Sequence, residues 1–185
     1  MSARAPVWAA AIPSTSVIYP TLPDADFSDC YETPDPQPDT AALQLWLDMV
    51  RQTPDWINRL MALRNRIVLL GGLKDLGHLG DLGPDGHCQD ARHYQCGDRV
   101  GIFELRHTSN TEVVMGQDDR HLNVQVSLLK RQHDGQAVLC LSTVVHIHNA
   151  MGHAYMAVVK PFHKQIAQSM MARVTLLAPP TRDQG

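Results

Sequence analysis

The apolar positions of this chain change spacing twice, and each change marks a new kind of element. Residues 1–38 carry little period of either kind, apart from "DFSDCYE", whose alternation predicts a short strand. The stretch "TPDPQPD" (33–39) places prolines at alternate positions, which suits neither helix nor ladder and predicts a stiff connector. Helical spacing follows. In "TAALQLWLDMV", Leu43, Trp46, Leu47 and Val50 share a stripe. In "TPDWINRLMALRNRIVLLGG", Thr53 is placed to cap, Pro54 suits the first turn, and Gly71–Gly72 supplies the stop. The inward stripe predicted there is Trp56, Leu60, Leu63, Ile67 and Leu70, with Arg59, Arg64 and Arg66 on the solvated side. Residues 71–98 read as a long loop.

From Arg99 the spacing becomes two. "RVGIFELRH", "NTEVVMG", "HLNVQVSLLK" and "QAVLCLSTVVHIHN" predict four strands in an antiparallel meander, with Asp134-Gly135 as the hairpin turn between the last two. From Met151 to about Leu177 helical spacing returns: Tyr155, Val159, Phe162, Ile166 and Met170 share a face, and Pro161 is expected to kink or break the early turns. One strand, two helices, an antiparallel sheet and a long C-terminal helix make an α+β fold. Residues 1–13 are expected to be flexible, 14–177 to form a single domain, and 178–185 to be a disordered tail.

Composition narrows the function classes. A hydrophobic content of 44% over 185 residues is enough for a core without staples. A net charge of −3 offers no electrostatic footprint for nucleic acid, and no stretch has the length of a membrane span. The apolar run near the N-terminus is interrupted by Pro6 and Pro13 and closed by no A-x-A site, so a secretory leader is not expected. A chain of this size does not need Cys30, Cys88, Cys96 and Cys140 as bridges, and a reducing, cytoplasmic setting is expected. No cofactor motif is present.

The densest chemistry is "GQDDRHL". If β-hairpin pairing holds, His121 at the start of one strand and His148 at the end of the next meet at one rim, with Asp118, Asp119 and His146 near them. A carboxylate against an imidazole there would make a general base. The bland alternative is a turn whose aspartates bond backbone amides while Arg120 pairs with one of them. The H-x-H pair His146 and His148 is a weak metal candidate, and "HCQDARHYQC" offers His87, Cys88, His93 and Cys96 without the spacing of a zinc knuckle. On the last helix, Lys160 and His163 face either a cavity or water.

The segments "DADFSDCYE", "WINRLMALRNRIVLLGGL", "GQDDRHLNVQVSLL" and "TVVHIHNAMGHAYMAVVKPFHKQI" resemble the bacterial family DUF2867, a domain of unknown function, over about Ser14 to Arg173. The family's signature falls on Asp118, Asp119, Arg120, His121, His148, Asn149, Gly152, Tyr155, Pro161, Phe162 and His163. The chain departs from it where Asn123 replaces an acid and Gln125 and His153 replace arginines. The resemblance implies a helix-grip fold similar to START, Bet v 1 and polyketide-cyclase proteins, with the sheet wrapped around the long C-terminal helix. It also implies a small, mostly apolar ligand in the space between them. The expected lining is Phe103, Met115, Val145, Tyr155, Val159, Phe162 and His163, with His121 and His148 as polar handles. The alternatives are a cyclase- or hydrolase-like enzyme with Asp119, His121 or His148 as base and Tyr155 as acid, and a metal site at His146 and His148.

Overall fold

The computed structural model describes residues 6–60 and 91–174. Five strands run as an antiparallel meander: β3 (Arg99–Val100), β4 (Phe103–Thr108), β5 (Glu112–Asp118), β6 (Leu122–His133) and β7 (Gln136–Ile147). β2 (Phe27–Pro34) pairs antiparallel with β7, and β1 (Trp8–Ala9) pairs outside β2. All seven make one sheet in the order β1-β2-β7-β6-β5-β4-β3. Two helices cover one face. α1 (Ala42–Arg51) lies over β5 and β6, and α2 (Ala150–Met171) lies over β2 and β7. The fold is α+β, with the long helix seated toward the β2 side of the sheet.

Alternation sets what each face carries. Tyr31, Leu139, Leu141, Val126, Leu128, Val113 and Met115 project from one face into the main core, where they meet Leu43, Leu45, Trp46, Leu47 and Val50 of α1 and Met170 and Met171 of α2. The β6–β7 turn is built on Asp134 at φ 50° and Gly135 at φ 78°, the left-handed pair that a two-residue hairpin needs. Gly101 at φ 63° turns the chain inside "RVGIFELRH", so the single strand expected there is the β3–β4 hairpin.

α1 buries the four residues of its expected stripe. It has no side-chain cap; its Ala42 N–H donates instead to the Asn110 carbonyl of the β4–β5 turn. The next helix begins at residues 55–60, and its inward residue is the fully buried Ile57 rather than Trp56, which is 39% exposed. Thr53 Oγ1 donates back to the Val50 carbonyl instead of capping that helix. The rest of the expected stripe, together with His87 and Cys88, lies outside the described residues.

α2 runs through Pro161 without the expected break. The proline is on the solvent side, where the carbonyl it leaves unbonded is open to water. The helix closes at Met171, short of the expected Leu177, because the Ala172 and Arg173 amides turn back onto the Met170 carbonyl.

The second face of the sheet is also buried, and no helix among the described residues covers it. The N-terminal segment does, from β1 through the short 3₁₀ turn at Tyr19–Thr21. Residues 1–13, expected to be flexible, thus include a strand and packed positions: Ala10 and Ile12 pack against Cys30, Leu129 and Cys140, and Ile12 against Ile18, Val114 and Val144. Two buried carboxylates tie the segment down. Glu112 accepts from Ser16 Oγ and Ser127 Oγ, each at 2.6 Å, and from the Val17 amide at 3.1 Å. Glu32, fully buried, accepts from Trp8 Nε1 at 3.1 Å, Arg131 Nη2 at 2.5 Å and Cys140 Sγ at 3.1 Å, with His133 Nδ1 at 3.0 Å. A buried ammonium does the same for the connector: Lys130 Nζ reaches Asp35 at 3.3 Å and the carbonyls of Gln37 and Thr40.

Burial would raise Glu32, but the donors Cys140, Arg131, Trp8 and His133 outweigh it and hold the carboxyl below its ordinary range. Burial first, and then the Glu32 charge, push the Cys140 thiol far up. A lowered acid contributes stability that is present above about pH 4.3 and lost as pH falls through its folded value. A raised thiol contributes stability that is present below about pH 8.5 and lost as pH rises above it. The melting temperature therefore peaks on a plateau between these limits. Glu32→Gln lowers stability at neutral pH by roughly 3 kcal/mol, by leaving Arg131 without its counter-charge. Cys140→Ala shrinks the alkaline fall. Chemical denaturation across pH measures all three, and an unchanged profile in both variants would refute the assignment.

Candidate functional site

The rim where β5, β6 and β7 end carries the residues of the "GQDDRHL" segment. Leu122 is paired with Ile147, and His148 N–H donates to the His121 carbonyl at 2.8 Å, so the two histidines are neighbours as the hairpin pairing requires. Asp119 does not meet an imidazole. Its Oδ1 accepts the backbone amides of His121 at 2.7 Å and Leu122 at 3.1 Å, which is turn chemistry. Asp118 reaches His148 Nε2 at 3.2 Å, with both side chains largely in water, where an ion pair contributes little.

His121 is buried, and both ring nitrogens are engaged. Arg120 Nε donates to its Nε2 at 2.7 Å, which requires a lone pair there. The proton is therefore on Nδ1, which donates to Asn149 Oδ1 at 3.0 Å. Asn149 closes the circuit: its Nδ2 donates to the Arg120 carbonyl at 2.7 Å, and its Oδ1 caps α2 by accepting the Gly152 amide at 3.2 Å. With its lone pair spent on Arg120, the His121 ring serves as a tether between strand and helix.

Gly152 has a steric reason. A Cβ there would stand 2.4 Å from the His121 carbonyl oxygen and 2.7 Å from Ile147 Cγ2, so the first turn of α2 presses onto the strand backbone. Tyr155 lies one turn on, half buried against the cluster of Phe27, Leu122, Val145 and Met156.

The remaining candidates separate. His146 turns to the second face and bonds the Thr21 carbonyl through Nε2 at 2.8 Å, away from His148. Among the described residues no three of His, Cys, Asp and Glu are grouped to hold a metal ion, and Cys96 and His93 belong to no such group. Of the expected lining, Met115 is in the main core and Phe103 stands edge-on to Trp46 with ring centres 6.3 Å apart. Val145 belongs to the second cluster, Val159 is half buried, and Phe162 is 44% exposed. Asn123 Oδ1 accepts from Arg106 Nη1 at 3.0 Å, a neutral partner where an acid would give an ion pair.

His163 has a largely buried carboxylate partner, whereas that of the rim histidine His148 stands in water. The Nε2 of His163 lies 3.2 Å from Asp29 Oδ1, and its ring stands at 89° to Phe27 with centroids 5.6 Å apart. Asp29 Oδ2 is buried without a hydrogen-bond partner. Burial first, and then the Asp29 charge, push the neighbouring Tyr31 hydroxyl up. Sequence reasoning missed Asp29, although alternation in "DFSDCYE" already puts this acid between Phe27 and Tyr31 on the helix-covered face.

A family model described as "Protein of unknown function (DUF2867)" matches residues 21–170, most of the chain, and the protein belongs to that family. No curated protein and no solved structure matches it. No helix among the described residues is long and apolar enough to cross a membrane.

Gly152→Ala pushes α2 off the His121 carbonyl and costs about 1–3 kcal/mol. Asn149→Ala removes the cap and frees the His121 ring, costing at least the ~1 kcal/mol of a lost N-cap. Thermal melts by circular dichroism measure both, and an unchanged melting temperature in Gly152→Ala would rule out this contact.

Proposed function

We propose that this DUF2867 protein binds a small, mostly apolar ligand between the sheet and its long C-terminal helix, in the manner of helix-grip proteins. The order of elements supports the comparison: a strand, helices, an antiparallel meander and a long helix, with the first long strand beside the last. One observation carries the ligand reading. Apolar packing beneath α2 is divided. Its C-terminal end, with Ala167, Met170 and Met171, joins the main core, whereas Met156 near its N-terminal end joins the separate cluster of Phe27, Leu122 and Val145. Val124 packs against both clusters yet is only half buried. Tyr155, Val159 and Ile166 flank the division, also half buried.

Half-buried apolar side chains on both sides of a helix–sheet junction are what an apolar guest would finish covering, at roughly 25 cal/mol per Å² of surface it removes from water. The general-base alternative at Asp119, His121 and His148 finds no free, carboxylate-paired imidazole in the buried part of the rim. The metal alternative finds no grouped ligands among the described residues.

Native mass spectrometry of protein purified from its host should show a co-purifying organic mass. Val159→Trp, which fills the division from its half-buried flank, should abolish that mass while leaving the melting temperature within a few degrees. Protein that carries no organic mass under gentle ionisation, and takes up none from a panel of apolar small molecules, would defeat the proposal.

A further inference from the structure

The underside of α2 is closed along most of its length and opens at one residue. Met156, His163, Ala167 and Met170 follow one another at helical spacing on the face toward the sheet. The three apolar members are buried, whereas the His163 side chain keeps 23% of its surface exposed. His163 also stands at the division in the apolar packing. Met156, before it, belongs to the second cluster with Phe27, and Ala167 and Met170, after it, belong to the main core. The imidazole is therefore the polar group of the gap between the two clusters.

Its chemistry is set by Asp29. That carboxylate lies 3.2 Å from Nε2, its side chain is 11% exposed, and the buried Tyr31 stands beside it. A carboxylate accepts and does not donate, so Nε2 carries the proton and the neutral ring presents a lone pair at Nδ1. Among the described residues nothing donates to Nδ1. The rim histidine His121 differs in this respect, since Arg120 occupies its lone pair. The shallow groove on the β2 flank of α2 is lined by Asp29, Lys160 and Lys164 and not by His163. The open part of the ring therefore looks to the opposite flank, where Val159 and Ile166 lie half buried one turn to either side.

We propose that His163 is the polar anchor of the apolar site, accepting through Nδ1 a hydrogen bond from a ligand hydroxyl, and that Asp29 positions it. The inference rests on the ligand reading above and adds the ligand's class: an apolar body carrying an alcohol or phenol group. A hydrocarbon would bury the lone pair unpaired, and a carboxylate would set a second acceptor against it.

Ring-nitrogen NMR of the full chain in mildly alkaline buffer reads the assignment directly. The His163 ring is expected with its proton on Nε2 and a bare Nδ1, and para-hexylphenol is expected to shift Nδ1 on binding. The phenol should bind several-fold tighter than para-hexylanisole, in which a methyl group replaces the donated hydrogen, by the worth of one hydrogen bond. His163→Phe, checked by its melting curve, should bring the two probes to the same affinity. Asp29→Asn lets the ring take the other tautomer, so it should narrow the gap and move the ring nitrogens of the free protein, which a merely structural role would not do. Anisole bound by the unaltered protein as tightly as the phenol, or phenol binding that leaves Nδ1 unmoved, would overturn the anchor while leaving the apolar site in place. A proton found on Nδ1 of the free, neutral ring would overturn it before any ligand is added. Binding of neither probe would defeat this inference together with the reading it rests on.

Discussion

A sheet apolar on both faces must be covered on both, and among the described residues helices lie over only one. The other face is closed by an irregular segment that has few backbone bonds of its own to offer, and buried side chains supply the attachments it lacks. Glu112 holds Ser16 and the Val17 amide, and Glu32 holds Trp8. Each carboxylate is a buried charge that would be costly alone, and each is nearly saturated with donors. The polar ties and the apolar contacts of Ile12 and Ile18 therefore depend on one another: without the cover the carboxylates meet water, and without the carboxylates the cover has no fixed register.

The rim obeys a related rule at smaller scale. His121, Asn149 and Gly152 form one circuit in which each group has a single workable state: Nδ1 protonated, the amide oxygen toward the helix, and no Cβ at the contact. The circuit is architecture: it fixes the strand ends to the first turn of α2.

Much of this was legible in the sequence because alternation is a short-range signal. The meander, the Asp134-Gly135 turn, the stripe of α1 and the meeting of His121 with His148 all follow from counting residues. What was hidden depends on partners distant in the chain. Glu32 and Glu112 sit at strand positions where an acid ordinarily marks a solvent face, and only their donors, from residues 8 to 140, make those positions inward. Trp56 and Ile57 are adjacent, so a rotation of one residue decides which is buried, and periodicity alone does not resolve it. β1 is too short to show any period, and Gly101 splits a run whose apolar pattern passes straight through it.

The pairing of β2 with β7 has a bearing on how the chain is made. Residues 27–34 find their partners at 138–145, so most of the polypeptide separates the two halves of that ladder. During synthesis the N-terminal strand and its cover leave the ribosome long before the strand they rest on exists. The β6–β7 hairpin, local and closed by a two-residue turn, is the template on which they dock, and the slow step is closing that long loop. Until then Phe27, Cys30 and Tyr31 lie on a strand without its partner.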